Sequence, residues 1–324
     1  MKAVLCRAYG PPEQLEVAEV ETPTPGAGQI VIAVKACAVN FPDTLIIQGK
    51  YQFQPPLPFS PGTDVAGVVQ AVGAGVEGLK VGDRVLALVS HGGYAEAVAC
   101  DASAATVIPA SVDFVTAAAF QLTYSTSYHA LVDRGGIQPG ETLLVLGASG
   151  GVGLAAVELG KLLGARVIAA ASSAEKLEVC RRYNPDEVID YGVEDLRERL
   201  KALAPGGVDV VFDPVGGSLA EPALRSVGWK GRYLVIGFAA GDIPRIPLNL
   251  PLLKGYSIVG VFVGSFMMRE SRHSQANVRR LLAWLAEGQI KPLISRTYPL
   301  ERAADALNAV LARQAIGKLV LVTE

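Results

Sequence analysis

The chain contains 324 residues, which favours two domains because one hydrophobic core rarely serves more than about 250–300 residues. Half of the residues are hydrophobic and 19% are charged, and the 35 glycines and 20 prolines are spread along the chain, which excludes disordered and collagen-like proteins. The formal net charge of −2 provides no electrostatic drive toward nucleic acid or anionic lipid. We therefore expect a partner that is recognised by a defined site, and neither nucleic acid nor membrane.

The first third of the chain has the pattern of a β domain. Short runs rich in β-branched residues alternate with Gly, Pro and Asp. These runs predict strands over residues 2–6, 15–19, 29–39, 67–72, 84–89 and 94–99. We assign residues 1–118 to a mostly β domain.

Three features indicate a cytoplasmic protein. Residues 114–132 are uncharged over a length that could cross a bilayer, but polar side chains such as Gln121 and His129 argue against a membrane helix. The four cysteines are far apart with no C-x-x-C spacing, as in a reduced protein. The apolar run within residues 1–10 is too short for a signal peptide.

The middle of the chain alternates apolar strands with amphipathic helices, a pattern typical of a parallel sheet. The predicted strands cover residues 142–146, 166–170, 187–190, 209–213, 232–236 and 257–262. Six strands with helices in the first four gaps predict a doubly wound α/β domain of the dinucleotide-binding type over residues 119–262. The remaining helices and the strand over 318–322 need another location, so we assign residues 263–324 to the completion of the β domain.

A glycine-rich turn directly follows the first strand of this sheet. Its predicted cofactor-binding residues are Gly147, Ser149, Gly150, Gly151, Val152 and Gly153. Glycines permit a tight turn there and allow a pyrophosphate to approach the N–H groups at the start of the next helix. The spacing is G-x-x-G-x-x-G, so a strand-to-helix turn without a ligand is the alternative.

The end of the second strand favours NADPH over NADH. An acidic residue there would bind the ribose 2′-hydroxyl of NAD, but the segment instead contains Ser172, Ser173 and Lys176. These hydroxyls and one cation are suited to a 2′-phosphate. The alternative for Lys176 is an ordinary solvated lysine on a helix.

Two further backbone segments are expected to bind the nicotinamide, because parallel sheets bind ligands beyond the carboxyl ends of their strands. Gly237, Phe238 and Ala239 follow the fifth strand, and Phe262 and Val263 follow the sixth.

Several motifs together resemble the zinc-independent quinone oxidoreductase branch of the medium-chain dehydrogenase/reductase superfamily, over essentially the whole chain. They are Asn40-Phe41-Pro42-Asp43-Thr44, the segment from Pro61 to Gly67, Val81-Gly82-Asp83-Arg84-Val85, the glycine turn, and Gly317-Lys318. The resemblance implies a catalytic domain of co-chaperonin-like β fold, a Rossmann domain inserted in it, and an active site in the cleft.

The resemblance also implies the residues of the active site. Asn40, Asp43 and Tyr51 would line the cleft as catalytic residues that hydrogen-bond a quinone or enone oxygen, although Asn40 and Asp43 also suit a turn and a helix cap. Three more residues would contact NADPH, namely Thr123, Tyr191 and Lys318. For Thr123, packing within a helix is the alternative.

No metal is expected in the site. Zinc-dependent members of the superfamily have a cysteine where Asn40 stands and a His–Glu pair where Thr63 and Asp64 stand. They also have a structural zinc lobe of four closely spaced cysteines, but this chain has none between Cys37 and Cys100.

These features predict an NADPH-dependent reductase acting on quinones by hydride transfer. Reduction of the carbon–carbon double bond of an enone or enoyl thioester is the alternative activity, and a non-catalytic NADPH-binding protein is an alternative of another class. The long uncharged run over residues 256–268 is too apolar for a free sheet edge. We therefore expect a homodimer through the Rossmann edge strand, which the resemblance also implies.

Overall fold

The chain folds into two compact units in a computed structural model that describes residues 1–323. The first unit combines Met1–Leu122 with residues 292–323, and the second is Thr123–Lys291. The predicted fold class, a six-stranded parallel Rossmann sheet with a separate mostly β domain, is confirmed. Glu324, the last residue of the expected C-terminal segment, lies outside the described residues.

The described residues form strands and helices in both units. The strands are β1 (Lys2–Leu5), β2 (Glu16–Glu19), β3 (Gln29–Val39), β4 (Asp64–Val72), β5 (Arg84–Leu88), β6 (Ala97–Asp101), β7 (Ala105–Val107), β8 (Thr142–Val145), β9 (Arg166–Ala171), β10 (Glu187–Asp190), β11 (Val208–Asp213), β12 (Val227–Val235), β13 (Ser257–Gly260), β14 (Ile294–Pro299) and β15 (Lys318–Val322). The α-helices are α1 (Phe41–Ile46), α2 (Phe114–Tyr128), α3 (Gly151–Leu162), α4 (Ala174–Arg181), α5 (Leu196–Leu203), α6 (Ala220–Arg225), α7 (Asn249–Lys254), α8 (Val263–Arg269), α9 (Ser271–Ala286) and α10 (Ala303–Leu311). Within residues 1–323, no helix has both the length and the apolar composition needed to cross a bilayer.

Strand β3 is the centre of the first unit. It is rich in valine, isoleucine and alanine, is mostly buried, and pairs antiparallel with β15, β4 and β6. The resulting sheet runs in the order β14-β15-β3-β4-β5-β7, with β6 paired to β3. Helix α10 buries Ala303, Ala306 and Leu307 in the same core. The C-terminal helix and strand therefore complete this unit.

The second unit is built on a parallel sheet of six strands in the order β10-β9-β8-β11-β12-β13. Strands β8, β9 and β11 are almost entirely buried, as expected for a parallel sheet with both faces covered. The strand order reverses between β8 and β11, which is where such sheets bind ligands beyond their carboxyl ends. The glycine turn follows β8 and lies at this point.

The borders of the two units differ from those expected. The first border falls after residue 122 rather than 118, and residues 263–291 belong to the second unit instead of completing the β domain. Helix α9 is held there because, for example, the ring of Trp284 packs against that of Tyr128 with 5.9 Å between the centroids. Helical periodicity shows that one face of a helix is buried, but it does not show which element covers that face.

The uncharged run over residues 256–268 divides into two elements instead of one long strand. Strand β13 ends at Gly260 and forms an edge of the parallel sheet, and α8 begins at Val263. Ile258 on the strand is 42% exposed and Met268 on the helix is 77% exposed. This edge therefore presents apolar side chains on the surface of the second unit.

Candidate functional site

The glycine turn has the backbone geometry of an anion-binding site. Gly147 adopts a φ of +57°, a left-handed conformation that favours glycine, and the Gly150 N–H donates to the Gly147 carbonyl oxygen at 3.0 Å. Gly150 caps α3 without a side-chain hydrogen bond. The N–H groups of the first turn of α3 and the positive end of its dipole are therefore suited to a phosphate.

Gly153 allows α3 to begin directly against this turn. A Cβ atom added at Gly153 would lie only 2.3 Å from the carbonyl oxygen of Gly147. The Ser127 hydroxyl donates to the Val152 carbonyl oxygen at 2.8 Å, and Ser149 is buried. The six predicted residues of the glycine turn thus form one loop at the start of α3, and their binding of a pyrophosphate stays a prediction.

Hydroxyl and cationic side chains meet at the carboxyl end of β9. Ser173 caps α4 by accepting the Lys176 N–H at 3.3 Å, and the Lys176 ammonium donates to the Ser172 hydroxyl at 3.0 Å. The Tyr191 N–H donates to the Ala171 carbonyl oxygen at 3.0 Å. The three residues predicted for a 2′-phosphate therefore lie at the end of β9, with Tyr191 beside them after β10, and Lys176 is the cation of the group.

The ends of β11 and β12 are joined through Asp213, which the sequence analysis missed. Its carboxylate accepts the N–H groups of Val215 and Gly216 at 2.7 and 2.9 Å and the hydroxyl of Tyr233. Burial raises the pKa of Asp213. The Gly237 N–H donates to the Asp213 carbonyl oxygen at 3.3 Å, which fixes the start of the predicted 237–239 segment.

The other predicted nicotinamide contacts differ in exposure. Phe262 is 49% exposed, whereas Val263 is buried at the start of α8. Thr123 is buried and lies inside α2, where the sequence also allowed simple helix packing. Burial and position do not show whether Phe262, Val263 or Thr123 binds a ligand, so their roles stay predictions.

Asn40 and Asp43 form the N-terminal cap of α1. The Asn40 backbone N–H donates to Asp43 Oδ2 at 2.8 Å, and the Tyr94 hydroxyl donates to the same oxygen at 3.0 Å. Asp43 and Tyr94 are fully buried. Burial raises the pKa of the Asp43 carboxyl to about 6. The capping alternative is therefore realised for Asp43, whose carboxyl has no exposed surface.

Lys318 lies beside Asn40 and is buried, whereas the resemblance implies that it contacts NADPH. Its ammonium donates to the Val39 carbonyl oxygen at 2.9 Å and to Asn40 Oδ1. Burial lowers the pKa of Lys318, while the charges of Asp64 and Asp43 oppose that shift. Burial also raises the pKa of Asp64 to about 7, and the Leu122 N–H donates to its Oδ2 at 3.2 Å.

Tyr51 is partly buried near the same cluster. Burial raises the pKa of its phenol, and the charge of Asp43 contributes to that shift. Tyr51 also packs against the core of the first unit. The structure thus joins Asn40, Asp43 and Lys318 in one cluster, and Tyr51 lies near enough for the charge of Asp43 to affect its pKa.

Two further members of this cluster, Asp64 and Tyr94, are not predicted as site residues by the sequence. Asp64 was noted only as a lost zinc position, and Tyr94 only as part of a strand. The one sequence feature connected with Tyr94 is Gly62. A Cβ atom at Gly62 would lie 2.3 Å from the ring of Tyr94, so a glycine is required there. Such long-range packing is not visible in local sequence patterns.

Asp43 predicts a pH dependence of stability. Its pKa is about 6 in the fold and near 3.8 when unfolded, so the folded chain binds the proton more tightly and loses stability as the pH rises from about 4 to 6. The difference corresponds to about 3 kcal/mol or less. In urea unfolding, the stability of the parent chain should fall relative to that of D43N between pH 4 and 7. A constant difference between the two proteins would contradict this account.

The histidines show no metal-binding arrangement. Within residues 1–323, no group of three His, Cys, Asp or Glu side chains is placed to hold a metal ion. His129 Nδ1 and His273 Nε2 both contact the Asp133 carboxylate, at 2.8 and 3.3 Å. His91 Nδ1 lies 2.9 Å from the Ser90 hydroxyl.

Two protein-family descriptions match the chain. Residues 26–110 match the alcohol dehydrogenase GroES-like domain, and residues 151–287 match the zinc-binding dehydrogenase domain. The quinone oxidoreductase-like protein 2 homolog of Nematostella vectensis is 37% identical over 327 residues, covering 100% of this chain and 89% of that protein.

Two solved structures are similar over nearly the whole chain. The quinone oxidoreductase of Escherichia coli, complexed with NADPH, superposes with a TM-score of 0.93 at 32% identity and covers 99% of this chain and 100% of its own. A mycobacterial protein complexed with NADPH has a TM-score of 0.93 at 30% identity, with the same coverage of 99% and 100%. Both similarities extend across the two units described above.

Proposed function

Because the chain belongs to the quinone oxidoreductase branch of the medium-chain dehydrogenase/reductase superfamily, we propose that it reduces quinones with NADPH and without a metal ion. The observation that carries the proposal is the glycine turn, where Gly153 lets α3 start against the carbonyl of Gly147 and leaves the first N–H groups of the helix for a phosphate. The NADPH complexes of two similar proteins support the same cofactor.

The residues of the second unit would hold the cofactor. The glycine turn would bind the pyrophosphate, and Lys176 with Ser172 and Ser173 would bind the 2′-phosphate. NADPH supplies a hydride when it is bound. The protein contributes position and orientation, which account for much of the rate of such reactions.

Asn40 is the proposed catalytic residue of the first unit. Its Oδ1 accepts the Lys318 ammonium, so only the amide N–H groups are left to donate to an acceptor oxygen. A positioned N–H donor stabilises negative charge that develops on such an oxygen. Tyr51 is the second proposed donor, since burial and the Asp43 charge raise the pKa of its phenol and keep it protonated.

Asp43 supports these residues without a direct role in the proposed reaction. It is fully buried, and its Oδ2 accepts the Asn40 N–H and the Tyr94 hydroxyl. These bonds fix the start of α1 and the backbone that carries Asn40.

The proposed absence of a metal rests on the ligand chemistry, since Asn40 and Thr63 are poor zinc ligands compared with cysteine and histidine.

Anaerobic assays of NADPH oxidation with a panel of quinones and α,β-unsaturated ketones test the function. The proposal expects hydroquinone or semiquinone as the product, with no loss of rate after dialysis against a chelator. A saturated ketone as the main product would make the chain a double-bond reductase. Bound NADPH without turnover of any acceptor would indicate a non-catalytic binding protein.

We also propose a cytoplasmic homodimer formed through the edge strand β13. The exposed Ile258 and Met268 and the open edge of the parallel sheet support it. Light scattering on the purified chain at micromolar concentration tests the oligomeric state.

A further inference from the structure

Lys318 is placed to control the side chain of Asn40. It is the first residue of β15, and the neighbouring register pairs Leu319 with Val39 of β3. This pairing brings the lysine side chain alongside the end of β3, where its ammonium donates to the Val39 carbonyl oxygen and to Asn40 Oδ1. Lys318 is 6% exposed and Asn40 is 5% exposed, so water competes little for these bonds.

The ammonium determines the orientation of the Asn40 amide. An ammonium has donors only, so the amide atom that faces it has to be the oxygen, and the Nδ2 group must point elsewhere. Within residues 1–323, the one contact of Nδ2 is a long bond of 3.4 Å to the Ala38 carbonyl oxygen. The amide thus keeps weakly used N–H donors on the side opposite Lys318.

Two buried carboxylates act on the charge of Lys318. Asp64 and Asp43 are the carboxylates that favour its charged form, and the Cys37 thiol lies in the same cluster. Among the described residues, neither Asp43 Oδ1 nor Asp64 Oδ1, both buried, has a hydrogen-bond partner. Buried charges that are not in direct contact, beside carboxyl oxygens without partners, are a poor source of stability, because desolvation offsets much of their attraction. Stability alone therefore does not explain why Lys318, Asp43 and Asp64 are buried together.

We infer, on the basis of the proposed function, that Lys318 is a positioning residue that orients and polarises the Asn40 amide as a hydrogen-bond donor to the acceptor oxygen. A hydrogen bond to an ammonium withdraws electron density from the amide oxygen and strengthens the N–H groups as donors. Lys318 thereby acts through Asn40. The resemblance implied a different role, namely a direct contact of Lys318 with NADPH.

A double-mutant cycle tests this inference. Replacing Lys318 with methionine should lower kcat roughly tenfold to hundredfold, because a misplaced catalytic group costs about that much. The same replacement in an N40A background should have almost no further effect. The Kd for NADPH, measured by fluorescence without an acceptor, should change by less than about twofold if Lys318 does not contact the cofactor.

A charge-balanced variant covers the case in which K318M does not fold. The double variant D64N/K318M removes one buried negative and one buried positive charge, and it is compared with D64N so that only the loss of the ammonium is measured. Circular dichroism establishes folding. If neither lysine variant folds, Lys318 is structural and the inference is wrong.

Two further results would overturn the inference. One is that K318M lowers kcat equally in the parent chain and in the N40A background. The other is that K318M raises the Kd for NADPH enough to account for the whole loss of activity. Turnover of quinones by the parent chain is measured first. A parent chain without turnover refutes the proposed function, whereas an active parent with an additive cycle refutes only the role of Lys318.

Discussion

Replacement of Gly153 with alanine is expected to weaken NADPH binding roughly tenfold to hundredfold. The added methyl carbon would lie 2.3 Å from the Gly147 carbonyl oxygen and 2.8 Å from the Ala148 Cα, and both are backbone atoms of the same turn. Neither can move without shifting α3 away from the end of β8. Overpacking of this kind costs about 1–3 kcal/mol of folding free energy. The shift that relieves it moves the N–H groups of α3 away from the phosphate, so we expect a loss of binding free energy of the same order.

Calorimetric titration with NADPH and urea unfolding measure the two consequences of G153A. Gly206 provides the matched control in the same unit, because an added Cβ there would meet no heavy atom within 4 Å. G206A should bind NADPH and unfold as the parent does. Parental affinity in G153A would show that the cofactor does not use this turn.

Replacement of Lys176 with aspartate should lower the preference for NADPH over NADH roughly tenfold to hundredfold. The Lys176 ammonium lies 3.0 Å from the Ser172 hydroxyl, so the change places a negative charge where the 2′-phosphate is proposed to bind. A charge-assisted hydrogen bond contributes about 1.5–3 kcal/mol, and its loss is felt only by the phosphorylated cofactor. The ratio of kcat/KM for the two cofactors measures the effect.

Lys201 gives the control for K176D. It lies on α5 in an exposed pair with Glu198, so K201D introduces the same change of charge away from the proposed cofactor site. That variant should keep the parental cofactor ratio. An unchanged ratio in K176D would leave Lys176 as an ordinary helix lysine, the alternative raised by the sequence.

Local patterns in the sequence were sufficient to predict the six-stranded parallel sheet of the second unit. Apolar runs of strand length between amphipathic helices predict a parallel sheet, and β10 of that sheet has the predicted bounds. The glycine turn was visible for the same reason, since positive φ at Gly147 and the close approach at Gly153 each require a residue without a side chain. Such constraints act between residues close in sequence.

Only the tertiary structure decided where distant segments pack and what their polar groups contact. Residues 263–291 join the second unit because contacts such as that between the rings of Trp284 and Tyr128 hold α9 there, although its apolar face would suit another core. Lys318 and Asn40 are far apart in the sequence and meet because β15 pairs with β3. A sequence pattern indicates that a side chain is buried. The partner of that side chain depends on the pairing of strands that are distant in the sequence, and the partner in turn determines the charge state and orientation of the side chain.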